Sequence, residues 1–244
     1  MNIYKKISII ISAYNEAKYI TKVLQRVIKA NTLNLTKEII IINDGSTDNT
    51  EKAIKRFIRI NNNTKIKIIF IKFRKNYGKG YALKKGFLKS TGDIVIVQDA
   101  DLEYSPEDYP LLLEPFFRND ADCVYGSRFI SNRPHRALYF WHFLINQMLT
   151  TFSNILTDLN LTDIETGLKA FNGNLIRKIS PYLQSKGFGF DPEITARIAK
   201  ISNLKIFEVG ISYSGRTYQE GKKINWRDGV LAIWQIIKFN LFVK

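Results

Sequence analysis

Four short stretches of this chain are almost wholly apolar and rich in β-branched residues: ISIII (7–11), EIIII (38–42), IKIIFIKF (66–73) and IVIVQ (94–98). Between them, 17–30, 47–60 and 80–89 carry apolar residues at helical spacing. A strand with no polar face needs cover on both sides. The alternation therefore predicts an α/β fold with a mostly parallel central sheet flanked by helices. Sheets of that kind bind ligands beyond the carboxyl ends of their strands. Three polar clusters fall at those ends: SAYNE (12–16), NDGSTD (43–48) and QDADLE (98–103).

After residue 108 the order is less regular. LLLEPFF (111–117) reads as helix and DCVYGSRF (122–129) as a fifth strand with a polar end. An apolar helix at 137–157, a loop over LTDIETGLKAFNG (161–173), a helix near 191–201 and a strand near 204–211 follow. The closing segment, 226–242, again has helical apolar spacing. No repeat, linker or composition break appears. The expectation is one domain, 1–244.

Asp99 and Asp101 alternate at the end of an extended run, so both side chains can share a face. Crowded carboxylates repel and need a cation. Mg²⁺ or Mn²⁺ on Asp99, Asp101 and Glu103 would neutralise them and bridge to substrate phosphates. Helix capping is the competing account. It suits Ser105 before Pro106 but leaves Asp99 and Asp101 unexplained. In NDGSTD, Asp44 can accept from a base or ribose, Gly45 permits a turn and Ser46 or Thr47 can cap a helix. Lys79, between Gly78 and Gly80, suits phosphate at a helix start. The Walker spacing is absent, and no G-x-G-x-x-G follows the first strand.

Charge adds a second constraint. The chain carries 37 Lys+Arg against 22 Asp+Glu, a net +15 that draws polyanions such as lipid headgroups or phosphorylated substrates. Its single cysteine, Cys123, excludes an internal disulfide and suits a reducing compartment. The N-terminal apolar run is too short for a signal peptide. Residues 137–157 hold no Asp, Glu, Lys or Arg. Polar interruptions at His142, Asn146, Gln147, Ser153 and Asn154 make this an interfacial or core helix rather than a membrane span. Arg128, Arg133 and Arg136 precede it, where headgroup phosphates would lie.

The ordered series SAYNE, NDGSTDNT, NYGKGYALKKG, QDADLEYSPED, GSRF, DIETGLKAF, GFGFDPEITAR and GRTYQEGKKI resembles family 2 glycosyltransferases of the GT-A fold. Within them it is most similar to the dolichyl- or polyprenyl-phosphate mannosyl- or glucosyltransferase group, which implies a nucleotide-sugar-binding half at 1–125 and an acceptor-binding half at 126–244. The resemblance implies that Ala13, Tyr14 and Glu16 surround base and ribose, with Asp44 on one of these. Lys79 and Ala100 would lie beside the nucleotide. Asp99 would contact ribose or metal, Asp101 would ligate the metal, and Glu103 would stand at a third acidic position. Arg128 and Arg216 would meet donor and acceptor phosphates, with Lys222 assisting. Asp191 and Glu193 fall where relatives place an acidic base, and Asp191 is the candidate here. Ser12 and Asn43 depart from the family's frequent Pro and first Asp.

The activity implied is metal-dependent, inverting transfer of a hexose from a GDP-mannose- or UDP-glucose-type donor to polyprenyl phosphate. The place implied is peripheral, on the cytoplasmic face of a membrane touched by helices at 137–157 and 228–243. Transfer to another glycan or lipid-linked saccharide is the alternative within enzymes. A non-catalytic nucleotide or nucleic-acid binder is the alternative outside them, but no basic-aromatic recognition motif supports it.

Overall fold

A computed structural model of the protein describes residues 4–61, 66–130, 135–137, 139–217, 219 and 226–243. Arg133 and Lys222 lie outside the described residues.

The first half follows the expected alternation. Strands β1 (Lys6–Ala13), β2 (Thr36–Asn43), β3 (Lys67–Lys72) and β4 (Ile94–Asp99) alternate with helices α1 (Ile20–Lys29), α2 (Thr50–Ile60) and α3 (Lys79–Lys89). A 3-10 turn at Pro106–Asp108 leads into α4 (Tyr109–Arg118), then β5 (Cys123–Ser127) and α5 (Phe140–Thr157). Next come β6 (Lys169–Asn172), α6 (Gly173–Ile179), α7 (Phe190–Ala199) and β7 (Ile206–Gly210). The last helix, α8 (Trp226–Ile237), runs into a π-helical turn at Lys238–Phe242.

The seven strands form one sheet in the order β3-β2-β1-β4-β6-β5-β7. The β1–β2, β1–β4, β2–β3 and β5–β7 pairs are parallel, while β6 runs antiparallel to both β4 and β5. The loop expected over 161–173 therefore contains a central strand. Its position has a consequence for the site. A reversed strand begins where its neighbours end, so the chain entering β6 is delivered to the sheet's carboxyl-end rim.

Why the strands are apolar on both faces is plain from the packing. Ile7, Ile9 and Ile11 join a core with α1, α2 and α4 through Val23, Ile54 and Leu112. Ile10, one residue out of phase, joins the opposite core with α3, α5, α7 and α8 through Leu83, Leu149, Ile194 and Ile236. Each isoleucine buried this way contributes about 1.5–3 kcal/mol. At the far edge from the carboxyl ends, buried Glu38 accepts from Ser8 Oγ (2.6 Å) and Thr91 N (2.9 Å) and pairs with Lys6 (3.1 Å).

Among the described residues, no helix is long and apolar enough to cross a membrane. Helices α5 and α8 pack together but leave large apolar side chains outside. Trp141 is 70% exposed, Ile155 72%, Trp234 54% and Phe242 71%.

Candidate active site

Two loops meet first. Asn15, with a left-handed φ of 53°, donates from its backbone N–H to Ser46 Oγ (3.0 Å), and its side-chain Oδ1 accepts from Thr47 N (2.9 Å). Glu16 N donates to Thr50 Oγ1 (2.8 Å). These bonds lock the ends of β1 and β2 side by side, with Ala13 buried and Glu16 nearly so. Tyr14, at the same turn, is half-buried.

Asp44 was expected on a base or ribose. It is buried, and its two oxygens accept from Tyr77 N and Gly78 N, both at 2.8 Å. Its work in this structure is to hold the loop that enters α3. Gly78 has a φ of 96°, and a Cβ there would come within 2.3 Å of the Lys186 carbonyl oxygen, so only glycine fits. The result is that Lys79 begins α3 aimed at Asp99, with Nζ 2.7 Å from Oδ1. Burial works against the Lys79 charge, but the carboxylates of Asp99, Asp191 and Asp101 outweigh it and raise its pKa.

The acidic rim is held chiefly by Arg216, which follows β7. Its Nη2 lies 2.6 Å from Asp101 Oδ2, its Nε 3.3 Å from Glu103 Oε1 and its Nη1 3.3 Å from Glu16 Oε2. Its backbone N–H also donates to Glu103 (2.9 Å), and Tyr213 OH donates to the other Glu103 oxygen (2.9 Å). Burial, reinforced by the charges of Asp99 and Glu103, pushes the Asp101 carboxyl up to about 7 despite Arg216. Ala100, between the two aspartates, is buried.

Among the described residues, no three acidic, histidine or cysteine side chains converge as a metal cluster. The expected three-carboxylate set is thus not assembled: Glu103 is engaged by Arg216 and Tyr213. Asp99 and Asp101 still offer hard oxygen donors that need positive charge. With phosphate oxygens completing the shell, that pair suits Mg²⁺ or Mn²⁺, which keep few protein ligands.

Arg128 follows β5 at the same rim. Both its Nε (2.6 Å) and Nη2 (2.7 Å) go to Asp163, and its guanidinium lies 5.2 Å from the Tyr213 ring. Glu208 of β7 fixes the backbone N–H groups of Thr162 and Asp163 (2.9 and 3.0 Å). The chain then passes Gly167, where a Cβ would lie 2.0 Å from Asp99 Oδ2. Lys169, the first residue of β6, is buried and bonds Thr166 O (2.6 Å) and Asp191 Oδ1. Asp191 stands in the first turn of α7.

The other acidic candidate, Glu193, has a structural post. It accepts from Gln184 N (2.8 Å) and Ser185 N (2.7 Å) and pairs with Arg197 (2.8 Å), the expected one-turn partner. Ser105 makes no capping bond to its helix; it accepts from Arg26 Nη2 (2.7 Å).

One rim thus gathers Glu16, Lys79, Asp99, Asp101, Arg128, Asp191 and Arg216. Sequence reasoning missed Asp163, Glu165, Gly167, Lys169 and Glu208. One signal was available: a lysine inside the apolar run LKAF. Such an arrangement can place cationic groups on a leaving diphosphate and carboxylates on a cation or sugar.

The glycosyl transferase family 2 domain matches residues 8–179, and the chain belongs to that family. It is therefore a glycosyltransferase, related to the enzymes that glycosylate polyprenyl phosphates. It is 29% identical over 248 residues to the UDP-N-acetylglucosamine–dolichyl-phosphate N-acetylglucosaminyltransferase of Methanococcus voltae, covering 97% of each chain. It is 30% identical to the dolichyl-phosphate β-glucosyltransferase of Dictyostelium discoideum, across 92% of this chain and 69% of that one. Among solved structures, glucosyl-3-phosphoglycerate synthase of Mycobacterium tuberculosis in complex with Mn²⁺ and UDP-glucose superposes with a TM-score of 0.68. The identity is 18%, covering 96% of this chain and 77% of that one. At that identity the likeness speaks for the fold, which is GT-A.

Proposed function

We propose that this protein transfers a hexose or N-acetylhexosamine from a nucleotide-diphospho-sugar to a polyprenyl phosphate, with inversion, at the cytoplasmic face of a membrane. The observation that carries the reading is the convergence of Lys79, Arg216 and the Asp99–Asp101 pair at the carboxyl-end rim. The full-length similarity to dolichyl-phosphate transferases supports the acceptor class.

Asp99 and Asp101 would hold a divalent cation, Mg²⁺ or Mn²⁺, whose chemistry would be to offset negative charge on a leaving diphosphate. Lys79 and Arg216 supply fixed positive charge to the same group. Arg216 exchanges its carboxylate partners for phosphate oxygens when substrate arrives. Arg128, held flat by Asp163, faces the acceptor phosphate. That acceptor is already an anion at neutral pH, so Asp191 need not remove a proton from it and serves to orient the reacting groups. The exposed apolar faces of α5 and α8 sit in the membrane interface, where the lipid acceptor resides.

A thermal-shift panel tests the donor half of this reading. UDP- or GDP-sugar is expected to raise the melting temperature more with Mn²⁺ than without, because ligand bound only to the folded state stabilises it. No shift with any sugar nucleotide would contradict it.

A further inference from the structure

Glu165 lies in the segment between Asp163 and Gly167 and no role has so far been found for it. Two residues before it, Asp163 grips Arg128 at the acceptor end of the site. Two residues after it, Gly167 abuts Asp99 at the donor end. Glu165 thus lies in sequence between a residue that grips Arg128 and one that abuts Asp99, and the charged groups nearest it, Asp191, Lys169 and Arg128, belong to the same rim. Its Oε1 is sealed from solvent and has no hydrogen-bond partner among the described residues, while the residue as a whole keeps part of its surface open. A carboxyl oxygen closed away without a partner is costly, and such atoms call for an explanation.

Resting on the donor reading above, we infer that Glu165 is a sugar-recognition residue whose carboxyl hydrogen-bonds a hydroxyl of the hexose carried by the nucleotide. The terminal torsion of a glutamate is broad and roughly two-fold, so either oxygen reaches a ligand without backbone movement. The charged groups around it are Asp191 from α7, Lys169 from β6, Arg128 after β5 and Asp163 from its own segment. Burial first, then the Asp191 carboxylate, pushes Glu165 up to about 8 against the pull of Lys169 and Arg128. A neutral carboxyl both donates and accepts, which suits a hydroxyl. Asp191, paired with Lys169, supplies a second carboxyl nearby.

The test is calorimetric titration of the full chain with UDP, GDP, UDP-glucose, UDP-N-acetylglucosamine and GDP-mannose in the presence of Mn²⁺. The readout is the ratio of sugar-nucleotide affinity to nucleoside-diphosphate affinity. Glu165→Ala is expected to lower that ratio about tenfold, one hydrogen bond's worth, with nucleoside-diphosphate affinity unchanged. Glu165→Gln, which keeps shape and a donor, is expected to retain the ratio at pH 7. Equal loss of both affinities in Glu165→Ala, or no change in the ratio, would overturn the inference. Should Glu165→Ala fail to fold, Glu165→Met, which keeps the volume but cannot hydrogen-bond, carries the same expectation, and a ratio unchanged from wild type in it overturns the inference equally. Failure of the wild-type chain to bind any of the three sugar nucleotides would instead remove the donor reading on which it rests.

Discussion

At the scale of single residues, the site is built as much by what is missing as by what is present. Gly167 has no side chain where one would strike Asp99 Oδ2 at 2.0 Å and the Tyr104 ring at 2.7 Å. Gly167→Ala is therefore expected to turn Asp99 away from Lys79 while the fold survives. Circular dichroism should be unchanged and kcat/KM should fall about 100-fold, the scale of an ångström's misplacement in an active site. A loss under twofold would show that Asp99 does not need its position. Much of this scale was legible beforehand. Asp99 and Asp101 sit in a polar cluster at a strand end, Lys79 was read at a helix start and Arg216 came from the family resemblance, and the fold brings all four to one rim. Asp44 was not legible in the same way, because nothing in NDGSTD reveals that the Tyr77 and Gly78 amides are its partners. Glu103 likewise reads as a third ligand in sequence, and only the fold brings Arg216 and Tyr213 to it.

At the scale of elements, the division between the two ends of the sheet is clear. The carboxyl-end rim carries strained, mutually repelling acids. The opposite edge carries Glu38, whose charge is satisfied. Burial alone would raise Glu38, but hydrogen bonds from Ser8, Thr91 and Lys6 hold it down at about 2. A carboxyl depressed in the folded state stabilises the protein above its unfolded pKa, and that contribution is lost as pH falls toward the folded value. Glu38 therefore stabilises fully above about pH 4.5 and progressively less down to about pH 2. Glu38→Gln is expected to cost about 2–3 kcal/mol at pH 7 and to flatten acid unfolding over that window, leaving donor affinity untouched. Urea unfolding across pH 2–7 measures this; an unchanged acid limb would contradict it. The strands of the first half were legible because each is a long apolar run. Strand β6 was not. Four residues, Lys169–Asn172, are too few for a period, and the turn-like FNGN that follows hides α6, which Asn172 caps through Asn174 N and Leu175 N.

At the scale of the whole molecule, three properties motivate the proposed placement at a membrane surface. The net charge is +15, Arg128 and Arg136 precede α5 in the chain, and α5 and α8 each leave a tryptophan exposed, Trp141 and Trp234. In the proposed function, such exposed aromatic side chains and cationic charge would bring a lipid phosphate toward Arg128. The sequence announces this face as an uncharged stretch at 137–157, but only the packing of α5 against α8 turns two segments into one surface. The most direct measurement combines surface and site. Purified protein is mixed with radiolabelled UDP-N-acetylglucosamine, UDP-glucose or GDP-mannose, Mn²⁺ and anionic vesicles containing polyprenyl phosphate. The account predicts that the protein sediments with the vesicles and that label moves into the organic phase as a single sugar on an acid-labile lipid phosphate. It further predicts that Asp101→Asn abolishes that transfer. Label appearing only on a water-soluble glycan or an existing lipid-linked saccharide, or transfer untouched by Asp101→Asn, would contradict it.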